Sequence, residues 1–314
     1  MKRASEDLNH FLTREYGIHP VEIVGLDNGM ININHRVIAE EGDFVFKQYT
    51  LRTPPQVAYE VAVLDRLAKS GFRSPRVYRT STGKGQAILD EKPVVLLGFI
   101  PGRPLKKWDV KILHQVGRML GEMHISTKDM KLPAVDRERW SFPEVGWIMK
   151  NGVRRILALR NGINTDDVDF MSAEYATLGD LERLPIGVTH QDVKPDNMIL
   201  SNDGAISFID FDNVYKDVLL VDLATTIIWT CFPDGKLVKG SLTALTSGYA
   251  SVKPLTKIEK QLFYDLIRFR LLREALDWPM RFSTEKALSN HRHFLAAYRS
   301  LIKNKKYIEK IWKA

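Results

Sequence analysis

The chain has 314 residues, of which 44% are hydrophobic and 27% are charged. This length and composition predict one large or two modest folded lobes and exclude an intrinsically disordered chain. The formal net charge is +8, but the basic residues are scattered except in the C-terminal "KNKKYIEKIWK". Excess charge alone favours solubility and weak non-specific attraction, so we expect no specific nucleic-acid partner.

Several features are typical of a cytoplasmic protein. The one cysteine, Cys231, cannot form an internal disulfide, which suits a reducing compartment. The N-terminal "MKRASEDLNHFLTREYG" is polar and charged, unlike a signal peptide. No apolar run reaches the ~18 residues that a membrane-spanning helix needs. We therefore expect a soluble, cytoplasmic protein that does not contact membranes.

The N-terminal part combines helix and strand patterns. Residues 4–16 have a helical pattern, and three strand-like runs follow near 20–26, 32–39 and 43–50, the last two joined by the turn "EEGD". The alternation in "FVFKQY" places Lys47 at the centre of a half-buried strand. A lysine there needs an anionic partner, unless the strand lies at an edge and the ammonium group stays in water.

The helix that follows offers this partner. "TPPQVAYEVAVLDRLAKSGF" begins with prolines, ends at a glycine and has helical periodicity. Glu60 falls within its apolar stripe, where a carboxylate is unfavourable unless it is paired. We therefore predict an ion pair between Glu60 and Lys47 that holds the lysine where it can contact nucleotide phosphates.

An apolar strand-like run, "KPVVLLGFIPG" at 92–102, stops at a Pro-Gly break. A buried strand that ends in this way suits a hinge between a small first lobe, 1–100, and a larger second lobe, 101–314. The first lobe is expected to bind a nucleotide and the second to hold the catalytic and metal loops. The backbone at the end of the strand is then expected to meet an adenine edge: Gly98, Phe99 and Ile100.

The histidines near apolar segments are expected to be structural. Residues 108–126 have the pattern of an amphipathic helix, in which His124 is a core or capping residue. His190 is expected to brace the loop that it begins. In "SNHRHF", we expect His291 and His293 to lie on an exposed helix and not in a metal site.

The stretch "HQDVKPDNMILSNDGAISFIDFDN" carries the chemistry. Asp192 lies in a polar loop between strand-like segments, where a carboxylate can orient an attacking hydroxyl and accept its proton. Asn197 and Asp210 lie at the adjacent strand ends of a hairpin whose turn is "SNDG". Their oxygens make an all-oxygen Mg²⁺ site that nucleotide phosphates complete. An HxDxxxxN pattern followed one hairpin later by a strand-ending aspartate is a specific signal.

This stretch resembles the catalytic and metal loops of the protein-kinase-like superfamily. "HQDVKPDN" is similar to the protein kinase catalytic loop, including Lys194, two residues after the aspartate. "IDFD" stands in place of Asp-Phe-Gly, nothing downstream resembles Ala-Pro-Glu, and about ninety residues separate the hinge from Asp192. Such a separation, and the segment "LLVDLATTI" with its structural Asp222, resemble the aminoglycoside phosphotransferase and choline kinase group.

Within that group, the chain is most similar to bacterial homoserine kinases of the phosphotransferase type. The resemblance rests on "NGMININHRVIAEEGDFVFKQY", "FIPGRPL" and "SGYASVKPLTKIEKQLFYDLIRFRLLREALDW". It implies a two-lobed α+β protein-kinase-like fold, with a small antiparallel-sheet N-lobe and a larger, mainly helical C-lobe. It also implies an ATP- and Mg²⁺-dependent kinase that acts on a small-molecule hydroxyl, most closely that of a homoserine-like amino alcohol.

The resemblance also implies roles for single residues. Lys47 would be the ATP lysine, Asp192 the catalytic base, and Asn197 and Asp210 the metal ligands. Two residues of the catalytic loop differ from the usual pattern of the group, which usually lacks a lysine at 194 and often has Gly or Ala at 191. Lys194 would add positive charge near the transferred phosphoryl group, and Gln191 leaves the acceptor open. The loop "LDNGMININH", with Gly29, would cover the phosphates.

The segment "DLIRFRLLREALDWP" is expected to line the acceptor site with Arg273, Asp277 and Trp278. A guanidinium binds a carboxylate in a bidentate fork, an acid would bind an ammonium group, and a tryptophan would contribute to a cage for a choline-like cation. A choline, ethanolamine or aminoglycoside kinase, a protein kinase, and a non-catalytic nucleotide-binding module stay open as alternatives. Oligomeric state and nucleotide preference stay open too.

Overall fold

The computed structural model describes residues 2–26, 31–135, 163–281 and 284–312. The chain divides into two compact units by its internal contacts. The first comprises Met1–Leu105, Ser126–Arg137 and Asn197–Tyr215, and the second comprises Lys106–Ile125, Glu138–Asp196 and Lys216–Ala314. These units are defined by contacts and not by ligands, so the predicted nucleotide-binding lobe 1–100 and catalytic lobe 101–314 stay predictions. In the described ranges, no helix is both long and apolar enough to cross a membrane.

An antiparallel sheet is the framework of the first unit. Its strands lie in the order β1 (Pro20–Gly25), β2 (Ile33–Ala39), β3 (Gly42–Gln48), β6 (Lys92–Gly98) and β4 (Val77–Tyr78), and β5 (Ala87–Leu89) also pairs with β6. The helix α1 (Lys2–Tyr16) shares a hydrophobic core with this sheet, in which Phe11 and Leu12 pack with Phe44 and Phe46. Because side chains alternate along β3, Lys47 points to the opposite face from Phe46.

The first unit also contains α2 (Pro54–Lys69) and a small sheet in the order β10 (Ile206–Phe208), β9 (Met198–Leu200), β7 (Arg103–Pro104). The Pro-Gly break before β7 has a steric cause. Gly102 has a φ of 151°, and a Cβ there would lie 2.6 Å from the Ile199 side chain and 2.7 Å from the Leu200 carbonyl oxygen. Only glycine lets the chain approach β9 this closely.

The second unit is mainly helical. It contains α3 (Val110–Ser126) except Ser126, and α4 (Thr165–Tyr175), α5 (Leu220–Thr230), α6 (Lys239–Val252), α7 (Lys257–Arg281), α8 (Glu285–Lys303) and α9 (Lys305–Ile308). Except for Tyr215, it also contains the two-stranded sheet of β8 (Ile186–Thr189) and β11 (Tyr215–Val218). Glycines let α3 and α6 pack backbone against backbone. A Cβ on Gly117 would overlap the Leu245 carbonyl oxygen, and one on Gly248 would overlap the His114 carbonyl oxygen.

The prediction that His291 lies on an exposed helix is wrong. His291 is only 3% exposed in α8, and its Nδ1 donates to the Ala275 carbonyl oxygen at 2.7 Å. The reason is Pro279, which lies inside α7 four residues after Ala275. Proline has no backbone N–H, so it cannot donate to the Ala275 carbonyl as a normal helical residue would. The buried histidine supplies the missing hydrogen bond from the neighbouring helix.

Candidate active site

Lys47 lies buried in the first unit among three carboxylates. Its side chain extends from β3, and its ammonium nitrogen Nζ is 2.7 Å from Asp210 Oδ1, 3.8 Å from Asp212 Oδ2 and 4.0 Å from Glu60 Oε1. Glu60 is 3% exposed because it belongs to the apolar stripe of α2 that faces the sheet. The Lys47–Glu60 ion pair is thus present, but it is the loosest of the three, and Asp210 is the hydrogen-bonded partner.

We refer to Lys47, Glu60, Asp210 and Asp212 together as the lysine cluster. The pKa values in it depend on the balance between burial and Coulomb attraction. Burial lowers the pKa of Lys47, but Asp210 and then Asp212 raise it, and the net result lies well above the ordinary value. Burial raises the pKa of Glu60 to about 7, against the opposing effect of Lys47. Because carboxylates outnumber the ammonium group, the cluster has room for additional positive charge, which a divalent cation would supply.

Asn197 and Asp210 are brought together by the hairpin of β9 and β10. Asn197 is buried just before β9, and its carbonyl oxygen accepts a hydrogen bond from Ile209 N–H at 3.0 Å, one residue before Asp210. Asp210 has left-handed backbone angles, with φ 64° and ψ 62°. Such angles are uncommon outside glycine and cluster at functional sites. The Asp210 side chain is 42% exposed, so one part of its carboxylate contacts Lys47 and another is accessible.

Asp212 is a member of the lysine cluster that the sequence interpretation missed. Its Oδ2 accepts a hydrogen bond from Asn32 Nδ2 at 2.8 Å, and its side chain is 14% exposed. The sequence shows Asp212 only as the second aspartate of "IDFD". The folded structure is needed to show that its carboxylate faces Lys47. Asn32 belongs to the predicted phosphate-covering loop, whose described part therefore contacts the cluster. The predicted Gly29 lies outside the described residues.

Two of the three backbone N–H groups that are predicted to face adenine already donate hydrogen bonds within the protein. Gly98 N–H donates to the Arg76 carbonyl at 2.8 Å, and Phe99 N–H donates to the Asp43 carbonyl at 3.0 Å. Of the three predicted positions, Ile100 is the one whose N–H has no acceptor within the described ranges. A nucleobase acceptor atom would therefore have to use Ile100.

The second unit holds the predicted base. Asp192 Oδ2 accepts a hydrogen bond from Lys194 Nζ at 2.7 Å, and both side chains are partly exposed. The amide of Asp192 donates to His190 Nδ1 at 3.3 Å, while His190 itself is fully buried. His190 therefore braces the loop, and Lys194 pairs with the carboxylate of Asp192. The chain passes from the second unit to the first between Asp196 and Asn197.

A buried carboxylate fixes the backbone of this loop. Asp222, in the first turn of α5, is 0% exposed and accepts hydrogen bonds from His190 N–H at 2.8 Å and Gln191 N–H at 2.6 Å. His124 Nε2 lies 3.0 Å from the same carboxylate, and His124 Nδ1 lies 2.9 Å from the Tyr249 hydroxyl. Hydrogen bonds from several donors offset the loss of hydration of this buried acid. The residue before Asp192 is thereby held in one position.

Gln191 adopts the left-handed conformation, with φ 73°. Its side-chain amide donates to Thr189 Oγ1 at 2.6 Å and to Asp217 Oδ2 at 3.0 Å. Glycine adopts such a φ without steric cost, which gives a physical reason for the glycine that the resembling group often has at this position. In this chain, side-chain hydrogen bonds help a larger residue to hold the same turn.

Charged residues on one face of α7 lie in the same unit as Asp192. Glu274 Oε1 accepts hydrogen bonds from Arg270 Nη2 at 2.8 Å and from Arg273 Nη1 at 3.0 Å. Arg270 is 2% exposed, and it lies in the segment "DLIRFRLLREALDWP", which is predicted from the sequence to line the acceptor site. The predicted Asp277 and Trp278 follow on the same helix and are partly buried. The structure thus places the guanidinium groups of Arg270 and Arg273 on the same carboxylate, that of Glu274.

Comparison with known proteins identifies the family. The model of the phosphotransferase enzyme family, APH, matches residues 22–255. The chain belongs to this family. A homoserine kinase of Xanthobacter autotrophicus is 28% identical over 81% of this chain and 80% of its own length. The predicted phosphotransferase family and the predicted activity, that of a small-molecule kinase, are confirmed.

Solved structures show the same fold at low identity. A microcompartment-associated aminopropanol kinase has a TM-score of 0.74 at 15% identity, covering 97% of this chain and 98% of its own. The amicoumacin kinase hAmiN, solved with AMP-PNP, Ca²⁺ and Ami, has a TM-score of 0.71 at 15% identity, covering 98% and 96%. The predicted α+β protein-kinase-like fold is confirmed.

Proposed function

We propose that this phosphotransferase is an ATP- and Mg²⁺-dependent kinase for the hydroxyl of a homoserine-like amino alcohol. The observation that carries the proposal is the buried Lys47, whose ammonium group is held between Asp210, Asp212 and Glu60. A fixed cation beside acids with spare negative charge suits a nucleotide triphosphate together with its metal ion. The sequence likeness to homoserine kinases supports the choice of acceptor.

The donor set fits a hard divalent cation. Asp210 offers a partly exposed carboxylate, and Asn197 lies at the adjacent strand end with a neutral amide oxygen. Mg²⁺ prefers such oxygen ligands and is held by few protein groups, because it retains water and binds substrate phosphates. When bound, MgATP supplies the phosphoryl group and an ion that neutralises its charge. The nucleotide-bound, Ca²⁺-containing structure of the amicoumacin kinase supports a nucleotide and a divalent ion in this fold.

The residues around Lys47 would hold the nucleotide. Lys47 would contact its phosphates, and Glu60 would limit the positions that the lysine can take. Ile100 N–H is available for the adenine edge, whereas the amides of Gly98 and Phe99 already donate within the sheet. Positioning and charge stabilisation are the main tasks of a protein in phosphoryl transfer, and a rigid buried cation serves both.

Asp192 would orient the acceptor hydroxyl and accept its proton. Lys194, hydrogen-bonded to Asp192 at 2.7 Å, would hold the carboxylate in place and add positive charge where negative charge develops. Asp222 keeps the preceding backbone fixed through His190 and Gln191. On α7, Arg273 and Asp277 would bind the acceptor's charged groups, and Trp278 would pack against it. Specific nucleic-acid binding is not expected, and the cytoplasmic location stays a prediction.

The test is release of ADP across a panel of homoserine, choline, ethanolamine, an aminoglycoside and a protein substrate. Homoserine is expected to respond, and Asp192→Asn is expected to remove turnover while nucleotide binding, measured by thermal shift, stays intact. The matched control is Asp196→Asn, which makes the same change at an exposed acid of the same loop. If turnover by Asp192→Asn stays within about tenfold of wild type, or ~1.4 kcal/mol in the barrier, Asp192 is not the base.

A further inference from the structure

Arg270 is an arginine with little solvent contact and an incomplete set of partners. It is 2% exposed, and its Nη2 donates to Glu274 Oε1 at 2.8 Å. Its Nε is also buried and has no hydrogen-bond acceptor in the parts of the chain that the structure describes. A buried donor of a charged group is unfavourable when it lacks an acceptor. The position therefore suits an additional anion.

The charges around Arg270 favour the same conclusion. One oxygen of Glu274 accepts hydrogen bonds from both Arg270 and Arg273, so two guanidinium groups share one carboxylate oxygen. Burial and then the charge of Arg273 lower the pKa of Arg270 to about 10, although Glu274, Asp192 and Asp277 act in the opposite direction. An anion placed between the two guanidinium groups would reduce their mutual repulsion.

The place of Arg270 relates it to the proposed reaction. Asp192 is one of the acids whose charge acts on Arg270, and both residues belong to the second unit. Arg270, Arg273 and Asp277 are spaced at three, four and seven residues, so they lie on one face of α7. From Arg270 to Asp277 the helix rises about 10 Å. The face thus presents cationic groups first and an acid one turn further along.

We propose that Arg270, together with Arg273, binds a carboxylate of the acceptor, so that the enzyme selects a hydroxy amino acid over the amino alcohol that lacks the carboxylate. The inference rests on the proposed function and narrows its substrate class. A guanidinium fork is suited to a carboxylate in both geometry and charge. Asp277, one turn beyond Arg273 on the same face of α7, would receive the ammonium group of the same molecule.

The first test compares acceptors on the wild-type enzyme. Homoserine, 3-aminopropan-1-ol and 4-hydroxybutyrate share a hydroxyl, and the last two lack the carboxylate and the amine, respectively. We expect kcat/KM for homoserine to exceed that for 3-aminopropan-1-ol by about 100-fold, as for loss of a charged bidentate contact. Equal values for these two acceptors would overturn the inference and leave the proposed function standing. Absence of turnover with all three acceptors would overturn both.

The second test changes the arginine. In Arg270→Met, the ratio of kcat/KM for homoserine to that for 3-aminopropan-1-ol is expected to fall about 100-fold, whereas Arg292→Met, at an exposed arginine of α8, keeps the wild-type ratio. An unchanged ratio in Arg270→Met would overturn the assignment. If that variant does not fold, Arg270→Lys keeps the charge and loses the fork. It is then expected to raise KM for homoserine about tenfold, and an unchanged KM would contradict the proposal.

Discussion

Replacing Glu60 by glutamine is expected to change the pH dependence of stability in a defined direction. Burial raises the pKa of Glu60 from its ordinary value of 4.5 to about 7, despite the attraction of Lys47. Between these values the unfolded chain has released the proton and the folded chain retains it. Folded wild-type protein therefore loses stability as pH rises through this window, by ~1.4 kcal/mol per pH unit and about 3 kcal/mol in all. Glutamine cannot titrate.

The assay is urea unfolding of the ligand-free protein at several pH values from about 4.5 to about 7.5. The free energy of unfolding of wild type minus that of Glu60→Gln is expected to fall by about 3 kcal/mol over this range. Glu182→Gln, at an exposed glutamate, is the control for loss of a carboxylate. A difference that is flat or rises with pH would contradict this prediction, because it would mean that Lys47 keeps Glu60 ionised in the folded state.

Other substitutions test the packing of the second unit. In Gln191→Gly, removing the strain of a left-handed non-glycine residue stabilises the fold by about 1 kcal/mol, but the loss of two side-chain hydrogen bonds costs about 1 kcal/mol each. We therefore expect a net loss of about 1 kcal/mol in the free energy of unfolding, measured with urea. A more stable variant would contradict this. Gly117→Ala is expected to cost about 3 kcal/mol or more because its Cβ would overlap the Leu245 carbonyl oxygen. In Gly240→Ala the new Cβ would lie 3.9 Å from the Val110 side chain, an ordinary contact, so the thermal midpoint should rise; equal midpoints for the two variants would refute the close packing at Gly117. His291→Leu leaves the Ala275 carbonyl without its donor and should cost about 1–3 kcal/mol in urea unfolding; a change below about 0.5 kcal/mol would contradict this role.

Local patterns explain why much of the first unit could be predicted from the sequence. The strand predicted at 43–50 forms at Gly42–Gln48, and the helix with the apolar stripe around Glu60 forms at Pro54–Lys69. Alternation and helical periodicity are properties of neighbouring residues, so they are readable from the chain. A buried acid on a helix next to a strand with a central lysine also limits the partner to few candidates.

Contacts between distant parts of the chain could not be read in this way. Asp212 joins the cluster of Lys47 across the fold, and its sequence context shows only a second acid near Asp210. His291 is buried because a proline on another helix leaves a carbonyl without a donor. The exposure of a polar side chain depends on which helix packs against it, and periodicity alone does not supply that information.

The proposed phosphorylation of homoserine is tested most directly by incubating the protein with homoserine, ATP and Mg²⁺ and identifying the product by phosphorus NMR and mass spectrometry. We expect a phosphomonoester on the side-chain hydroxyl of homoserine, formed in equal amount with ADP and absent with Asp192→Asn. ADP without a phosphorylated acceptor, or phosphate found only on protein serine or threonine, would contradict it.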